Sequence, residues 1–451
     1  MVSNISTDAL RISKIVICCF LFLWTLCLSC SDQDKVSPPY KAYVMYLDKS
    51  KSTLGTPYYS LGSKELTDLK DISKLDGTYF SIREGGTLEV DTSGGAFISA
   101  EKFEKGSTPN IRYKLKDGVI IPKDYSSLIM LSVFYQFQEI FGHLEEYTGV
   151  IPRDIVSTAD NARMSIWYEP VVTDKHENES SSSSEIAKLN AAYLQGNKQF
   201  VLFQRSSLER VPISANLSVL AHEFGHALFE YSFYGNKYNH DRDEVFEIDP
   251  IFGMNEGLAD YVSFIYTGVS NILGSSFLFA EDYMQRDFAQ TTFTYDSMKI
   301  KAIKGSKDDT ELLKNYCNGG YYCLGTLFAR SLWEASKTSG YDGEKRYEYL
   351  KKVLSSLTKA RDVLTPMVSE FTDRIETENS GTQKIVNTPK VLSLFLYALL
   401  VNLDESLKEN LCSSLVKNFG SVMNKADHSG VCPHVTFSVN RVNLYDVYED
   451  F

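Results

Sequence analysis

The sequence predicts an α+β protein in which strands come first and helices follow. Short segments with strand-like alternation, separated by glycine pairs, occupy the region after Tyr40. Helical periodicity dominates from Ser214 onwards. The composition is that of a globular chain, because 43% of its 451 residues are hydrophobic and 23% are charged. A run of strands followed by a run of helices favours the α+β class over alternating α/β folds.

The N-terminal segment has the pattern of a secretory signal. Two basic residues precede an apolar stretch from Ile15 to Leu28. A membrane-spanning helix needs about 20 apolar residues, so this shorter stretch predicts a signal peptide. Leu28-Ser29-Cys30 resembles the cleavage site of bacterial lipoproteins, in which the cysteine is acylated and becomes the first residue of the mature chain. We therefore expect residues 1–29 to be removed and Cys30 to carry a lipid.

This signal predicts an extracytoplasmic protein anchored to a membrane, in the periplasm or at the cell surface. A plain secretory signal cut nearby is the alternative, and it would make the protein secreted. Residues 30–39 are polar and end in two prolines, which predicts a tether. The chain carries 58 acidic and 46 basic residues and a formal charge of −12, without a basic run. Nucleic acid is therefore not an expected partner, because phosphate binding needs clustered Lys and Arg.

The predicted strands lie in the first half of the chain, and one long helix interrupts them. That helix covers Ser126 to Tyr147 and ends at Gly149. The serine-rich segment Asn178–Glu185 has no core-forming residues and is predicted to be an exposed loop. The predicted strands are Thr78–Ile82, Thr87–Thr92, Ala96–Ala100, Ser165–Glu169 and Gln199–Gln204. Helices are predicted at Tyr322–Ser336, Tyr347–Leu357, Val391–Leu403 and Ser406–Phe419.

A metal-binding motif lies in an apolar helical segment. In His222-Glu223-Phe224-Gly225-His226 the two histidines are four positions apart, so on a helix both imidazoles point to one spot. Glu223 projects beside that spot, where it can act on a water molecule. The alternative is a pair of histidines on a helix surface whose hydrogen bonds are satisfied without a metal.

A second motif follows thirty residues after His226. Asn255-Glu256-Gly257-Leu258-Ala259-Asp260 reads as part of another helix, with Glu256 and Asp260 one turn apart. Catalytic zinc takes three protein ligands and leaves one position open, so Glu256 can supply the third ligand. Asp260 can accept a hydrogen bond from the outer N–H of a ligand histidine.

With both motifs present, the chain resembles the thermolysin-like and fungalysin-like zinc peptidases. The resemblance implies that His222, His226 and Glu256 bind one zinc ion, that Glu223 is the general base and that Asp260 orients a ligand. It also implies a two-lobed fold. We expect a β-rich N-terminal lobe at 40–227, ending in the zinc-binding helix, and a helical C-terminal lobe at 228–451.

Two further segments resemble parts of the same family. Asn190-Ala191-Ala192-Tyr193 is similar to the edge strand whose Asn-Ala pair binds the substrate backbone. A turn before a hairpin is the alternative for Asn190. Asn318-Gly319-Gly320-Tyr321-Tyr322 is similar to a segment whose histidine stabilises the developing oxyanion, but this chain has Tyr322 at that place. A phenol can donate the same hydrogen bond. A packed aromatic role is the alternative for Tyr322, and the other candidate donors are Tyr231, Tyr234 and Tyr238.

The downstream cysteines predict disulfides, because the expected compartment is oxidising. We expect Cys317–Cys323 and Cys412–Cys432, in which the partners are close in sequence. An acidic cluster could hold calcium, although a solvated loop is the preferred interpretation. Its members are Asp241, Asp243, Glu244, Glu247 and Asp249.

The sequence as a whole predicts a lipid-anchored zinc endopeptidase that acts on peptide or protein substrates. A zinc aminopeptidase is the alternative within the same chemistry, although the Gly-x-Met-Glu-Asn motif of those enzymes is absent. A non-catalytic lipoprotein that uses the fold as a binding module is the alternative from another class. The presence of Glu223 argues against it, because a binding module needs no base beside the metal.

Overall fold

A computed structural model describes most of the chain after residue 37. The described residues are 38–91, 99–104, 106–157, 159, 162–174, 191–194, 198–203, 211–235, 249–274, 276, 286–298, 321–376, 383–423 and 431–432. The predicted signal peptide, Cys30, most of the tether, Asn190, Tyr238, Cys317 and the acidic cluster up to Glu247 lie outside these residues.

Eleven strands within the described residues form three sheets. The first sheet has the order β2-β1-β7-β6, the second β10-β11-β8-β3 and the third β5-β4-β9. The strands are β1 Tyr40–Leu47, β2 Tyr59–Leu66, β3 Phe80–Glu84, β4 Thr87–Asp91, β5 Ser99–Glu104, β6 Tyr113–Lys116, β7 Val119–Pro122, β8 Met164–Tyr168, β9 Val171–Asp174, β10 Ala191–Leu194 and β11 Gln199–Leu202.

The second sheet carries the edge strand that concerns the functional site. Strands β3, β8 and β11 are parallel, whereas β10 runs antiparallel to β11 with Ala191 opposite Leu202 and Tyr193 opposite Phe200. Strand β10 ends the order of this sheet and lies beside helix α4, Leu217–Phe229.

The long helix that precedes β8 is interrupted. Helix α1, Tyr125–Gly142, is capped by Asp124, whose side chain accepts a hydrogen bond from the Ser127 N–H at 2.8 Å. Helix α2, Leu144–Thr148, follows directly and ends at Gly149, whose φ of 74° is the left-handed conformation that favours glycine. The single predicted helix is therefore two helices, because Gly142 and His143 interrupt it.

Aromatic side chains of α1 join it to the second sheet. The ring centroid of Phe134 lies 4.9 Å from that of Phe80 in β3, and that of Phe137 lies 5.0 Å from that of Phe200 in β11. All four rings are buried. The core formed here supports the strands that lead to the site.

The second half of the described chain is helical. Helix α5, Asp249–Thr267, contacts both α4 and helix α6, Tyr321–Thr338. A five-residue π-helical segment, Glu230–Tyr234, directly follows α4. The further helices are α3 Pro152–Val156, α5 Asp249–Thr267, α6 Tyr321–Thr338, α7 Arg346–Glu376, α8 Gln383–Val401 and α9 Glu405–Phe419, with 3₁₀ turns at Ile213–Ala215, Gly343–Lys345 and Gly420–Val422. The predicted α+β class is confirmed, and the predicted division into two lobes stays a prediction.

One predicted disulfide is present. Cys412 of α9 is bonded to Cys432, with the two Cα atoms 5.9 Å apart. Cys323 is also disulfide-bonded, and its partner lies outside the described residues, so its pairing with Cys317 stays a prediction. No helix in the described ranges is sufficiently long and apolar to cross a membrane.

Candidate metal centre

Helix α4 presents the two histidines of the first motif. Asn216 caps the helix, because its side-chain oxygen accepts a hydrogen bond from the Ser218 N–H at 2.9 Å. Every residue of α4 is buried, so the histidines face the protein interior. The rings of His222 and His226 lie 4.7 Å apart between centroids and are nearly perpendicular at 86°. One turn of helix thus brings both rings to the same place.

Glu256 of α5 completes a group of three potential ligands. Its Oε2 lies 3.4 Å from Nε2 of His222, and its Oε1 lies 3.6 Å from Nε2 of His226. One ligand atom from each of the three residues lies within 4.8 Å of the others, and all three residues are buried. These residues together could hold a metal ion.

Two neighbours on α5 lie against the outer nitrogens of the histidines. Oδ1 of Asp260 is 2.8 Å from Nδ1 of His222, and Oδ1 of Asn255 is 3.0 Å from Nδ1 of His226. A polar partner at the outer nitrogen fixes the ring orientation and directs the Nε2 lone pair towards a ligand position. The geometry therefore leaves both Nε2 atoms directed at Glu256.

Close helix packing makes this convergence possible. A Cβ atom at Gly225 of α4 would lie 2.5 Å from Cα of Ala259 in α5. Gly257 of α5 has the same close relation to the backbone of Gly325 in α6. Glycine allows the backbones to approach where any side chain would separate them. The glycines therefore allow α4, α5 and α6 to pack closely around the site.

Arg286 is a member of the site that the sequence did not indicate. Its Nη2 donates to Oε2 of Glu256 at 2.8 Å and to Oδ1 of Asp260 at 2.7 Å. The side chain is buried, and it supplies a positive charge to two buried carboxylates. A lone arginine outside any motif gives no signal in the sequence, because only the fold brings it to α5.

Tyr322 lies at this same end of the site. The guanidinium carbon of Arg286 is 4.5 Å from the centroid of its ring, a cation–π contact. Tyr231 and Tyr234 belong to the π-helical segment and are partly buried against the core. The ring of Tyr234 packs against Phe229 and Phe233. The ring of Tyr322 is thus in contact with a member of the site, and its role as a donor stays a prediction.

Glu223 is buried between α4 and the edge strand. Its Oε2 accepts a hydrogen bond from the Tyr193 N–H of β10 at 2.8 Å. Burial raises the pKa of Glu223 to about 7. A general base works best when its pKa is close to the working pH, so this environment suits the role expected from the sequence. Ala191 lies two residues earlier in β10 and is buried.

The pKa values of the three candidate ligands, His222, His226 and Glu256, shift in different directions. Burial disfavours the protonated form of His222, but Asp260 and Glu256 outweigh it and raise the pKa of His222 to about 9. Burial lowers the pKa of His226 to about 4. Burial also disfavours ionised Glu256, but His226 and Arg286 outweigh that effect and lower its pKa. Near neutral pH and without metal, the site therefore holds an ionised Glu256 beside a protonated His222 and a neutral His226.

Comparison with known proteins gives only distant structural likeness. No family model matches the chain, and no curated protein matches it. Among solved structures, the precursor of protealysin, a metalloproteinase from Serratia proteamaculans, is similar to it with 9% sequence identity and a TM-score of 0.36, over 77% of this chain and 91% of that chain. This level of similarity carries no argument about activity, and the interpretation of the site therefore rests on its own geometry.

Proposed function

We propose that the protein is a zinc metallopeptidase, and specifically an endopeptidase, with Glu223 as its general base. The observation that carries the proposal is the buried convergence of His222, His226 and Glu256, whose ligand atoms lie within 4.8 Å of one another. Glu223 is the next residue after His222 and is buried against the same group. A ligand group with an adjacent base is the arrangement that metal-assisted hydrolysis requires.

The donor set fits zinc. Two imidazole nitrogens and one carboxylate form a known ligand set of catalytic zinc sites, which leave a fourth position open. The polar groups behind both imidazoles are the partners that such ligands need. Zinc at this place would supply Lewis-acid chemistry, polarising a carbonyl group and making water easier to deprotonate.

The residues of the chain then have distinct roles in peptide hydrolysis. Glu223 takes a proton from the attacking water and passes it to the leaving amine, as a general base and then a general acid. Asp260 and Asn255 hold the imidazole rings in place. Tyr322 is the proposed donor to the developing oxyanion, and Arg286 contacts its ring.

The substrate site is proposed along β10. An extended peptide can add to the edge of a sheet through backbone hydrogen bonds, and β10 is the edge of the second sheet beside α4. Asn190 and Ala191 are the residues proposed to hold the substrate backbone. A peptide placed there would lie next to Glu223, because Tyr193 of the same strand contacts it.

The location of the enzyme is a separate proposal. The apolar segment that ends at Leu28-Ser29-Cys30 supports a lipoprotein that faces an extracytoplasmic compartment. The lipid on Cys30 would hold the catalytic body at a membrane, and residues 30–39 would separate the two.

The decisive experiment combines peptidase activity with metal analysis. Purified mature protein is incubated with a mixed peptide library, with and without a zinc chelator, and zinc is counted per chain. We expect about one zinc per chain and internal cleavage that the chelator abolishes. His226→Ala should lose most of the metal, whereas Glu223→Gln should keep metal and fold but lose nearly all turnover.

Each other outcome contradicts a specific part of the proposal. Full zinc retention by His226→Ala would refute the ligand assignment. Turnover by Glu223→Gln equal to that of the parent would refute the base. Release of single N-terminal residues would indicate an aminopeptidase, and absence of cleavage by the zinc-loaded parent would favour a binding module.

A further inference from the structure

Tyr193 contacts two carboxylates of one helical segment with two different groups. Its backbone N–H donates to Oε2 of Glu223 at 2.8 Å, and its phenol donates to Oε2 of Glu230 at 2.7 Å. The two glutamates are seven residues apart, about two helical turns. Strand β10 is therefore attached to the segment that contains α4 at two points through a single residue.

The phenol contact is fully enclosed. Glu230 is 1% exposed and Tyr193 is 8% exposed. Burial raises the pKa of the Tyr193 phenol, so the phenol keeps its proton and remains a hydrogen-bond donor. A buried carboxylate is stabilised only where it has hydrogen-bond partners or a counter-charge, so the Tyr193–Glu230 pair depends on its surroundings.

Lys198 supplies a nearby positive charge. Its side chain is buried, and its Nζ donates to the carbonyl oxygen of Ile155 at 3.1 Å. Burial lowers the pKa of Lys198, while the Glu230 carboxylate acts in the opposite direction. Lys198 and Glu230 are thus both buried behind β10. Two apolar side chains would fill the same space without the free-energy cost of desolvating two charges.

The geometry of the strand explains why this support matters for Glu223. Because the N–H groups along a strand alternate in direction, the Tyr193 N–H can point at α4 only while β10 keeps its present rotation. A small rotation of the strand would separate this N–H from the carboxylate. Glu230 also begins the π-helical segment, a local irregularity that is frequent at functional sites.

We propose that Tyr193 is a positioning residue for Glu223. Its phenol, held by Glu230, fixes the rotation of β10, and the Tyr193 N–H then holds the Glu223 carboxylate facing the ligand group. This inference rests on the proposed function. It adds that the strand proposed to bind the substrate also orients the base, so that one element aligns both reaction partners.

The test compares Tyr193→Phe with a matched control, Tyr266→Phe. Tyr266 is also buried, and its phenol donates to the Ile140 carbonyl oxygen at 3.0 Å, but it lies ten residues beyond Glu256 on α5, about 15 Å along the helix. Both variants lose one buried phenol hydrogen bond and keep the ring. We expect kcat to fall about tenfold in Tyr193→Phe only, with KM and zinc content unchanged, and the decrease in Tm to be at least as large in Tyr193→Phe as in Tyr266→Phe because the lost acceptor is a carboxylate.

Substitutions of Glu230 provide the reciprocal test. Glu230→Gln keeps an oxygen that accepts from the phenol and should retain most of kcat. Glu230→Ala removes the acceptor and should lower kcat as Tyr193→Phe does, without a further decrease in the double variant. Independent, multiplying losses in the double variant would overturn the proposal, as would a loss of zinc or a raised KM in Tyr193→Phe.

A second readout does not depend on peptidase activity. Amide hydrogen exchange at position 193 reports whether that N–H stays bonded to Glu223. Exchange should be faster in Tyr193→Phe and in Glu230→Ala, and unchanged in Tyr266→Phe. If the parent cleaves no peptide, the proposed function fails while faster exchange still supports the positioning contact. Unchanged exchange at position 193 in Tyr193→Phe would overturn the inference in either case.

Discussion

The two candidate ligand histidines differ at the residue scale in what lies behind them. His222 faces the carboxylate of Asp260, whereas His226 faces the neutral amide of Asn255. An anion at the outer nitrogen increases the electron density of the ring, so His222 is the more basic of the two. Asp260 therefore raises the basicity of His222, whereas Asn255 mainly orients the ring of His226.

Arg286 stabilises the buried carboxylates of Glu256 and Asp260 in the metal-free protein. Arg286→Ala leaves protonated His222 as the remaining cation beside buried Glu256 and Asp260, and we expect the free energy of unfolding of the metal-free protein to fall by up to about 3–5 kcal/mol. A bound zinc ion restores a positive charge, so the loss should be smaller in saturating zinc. Urea unfolding with and without zinc measures both values.

Arg330→Ala is the control for this prediction. Arg330 pairs with Glu334 at 3.0 Å one turn along α6, outside the site. We expect its replacement to change stability by about 1 kcal/mol or less, with or without zinc. If the stability lost in Arg286→Ala were the same with and without zinc, the charge-balancing role of Arg286 would be contradicted.

Tyr322 supports a prediction about catalysis. Tyr322→Phe removes the phenol O–H and keeps the ring that packs against Arg286. If the phenol donates to the developing oxyanion, kcat should fall by roughly 10²–10³ with little change in KM. Steady-state kinetics on a cleaved peptide measure both constants, and Tyr322→His should recover part of kcat. An unchanged kcat in Tyr322→Phe would make this residue a packed aromatic and would direct attention to Tyr231 and Tyr234.

At the scale of elements, the site depends on helices that approach closely. Gly225→Ala introduces a methyl group 2.5 Å from the Ala259 backbone, so α4 and α5 must separate. We expect a loss of about 1–3 kcal/mol of stability, although alanine has the higher helix propensity. Zinc affinity should fall as well, because the ligands lie on these two helices. Chemical denaturation and zinc titration measure the two effects.

Gly142→Ala is the matched control on another helix. A Cβ atom at Gly142 of α1 would meet no heavy atom within 4 Å. The substitution should leave zinc affinity unchanged and either preserve stability or raise it by up to about 1 kcal/mol. Equal effects of the two substitutions would show that the contact at Ala259 does not determine the helix spacing.

Local sequence patterns predict some elements of this fold and miss others. The motif segment and the later helices were predicted because their apolar spacing is local, but Tyr347–Leu357 proved to be only part of the 31-residue helix α7. Strand β1 pairs in parallel with β7, which begins 72 residues after β1 ends. No local pattern encodes such a pairing, because it is determined by which faces the whole fold buries.

At the scale of the whole molecule, the candidate site was predictable where its members share a helix. His222, Glu223 and His226 lie within one turn, and Glu256 and Asp260 lie within another, so periodicity places them. Arg286, Glu230 and the N–H of Tyr193 act across different elements. Their contacts exist only after folding, and a single sequence carries no measure of them.

The net charge of the whole molecule bears on where it resides. The chain is acidic, with a formal charge of −12, so it has no electrostatic attraction to an anionic lipid surface, and attachment to a membrane would depend on the lipid proposed at Cys30. Cys30→Ser removes the thiol that we propose to be acylated, and we expect the protein to move from the membrane pellet to the soluble fraction or to accumulate as uncleaved precursor. Fractionation followed by mass spectrometry of the N-terminal peptide measures both. The Glu223→Gln variant is the control, because it should stay in the pellet with the lipid attached. Membrane association of Cys30→Ser equal to that of the parent, with no acyl group on Cys30 of the parent, would show that the signal is a plain secretory one.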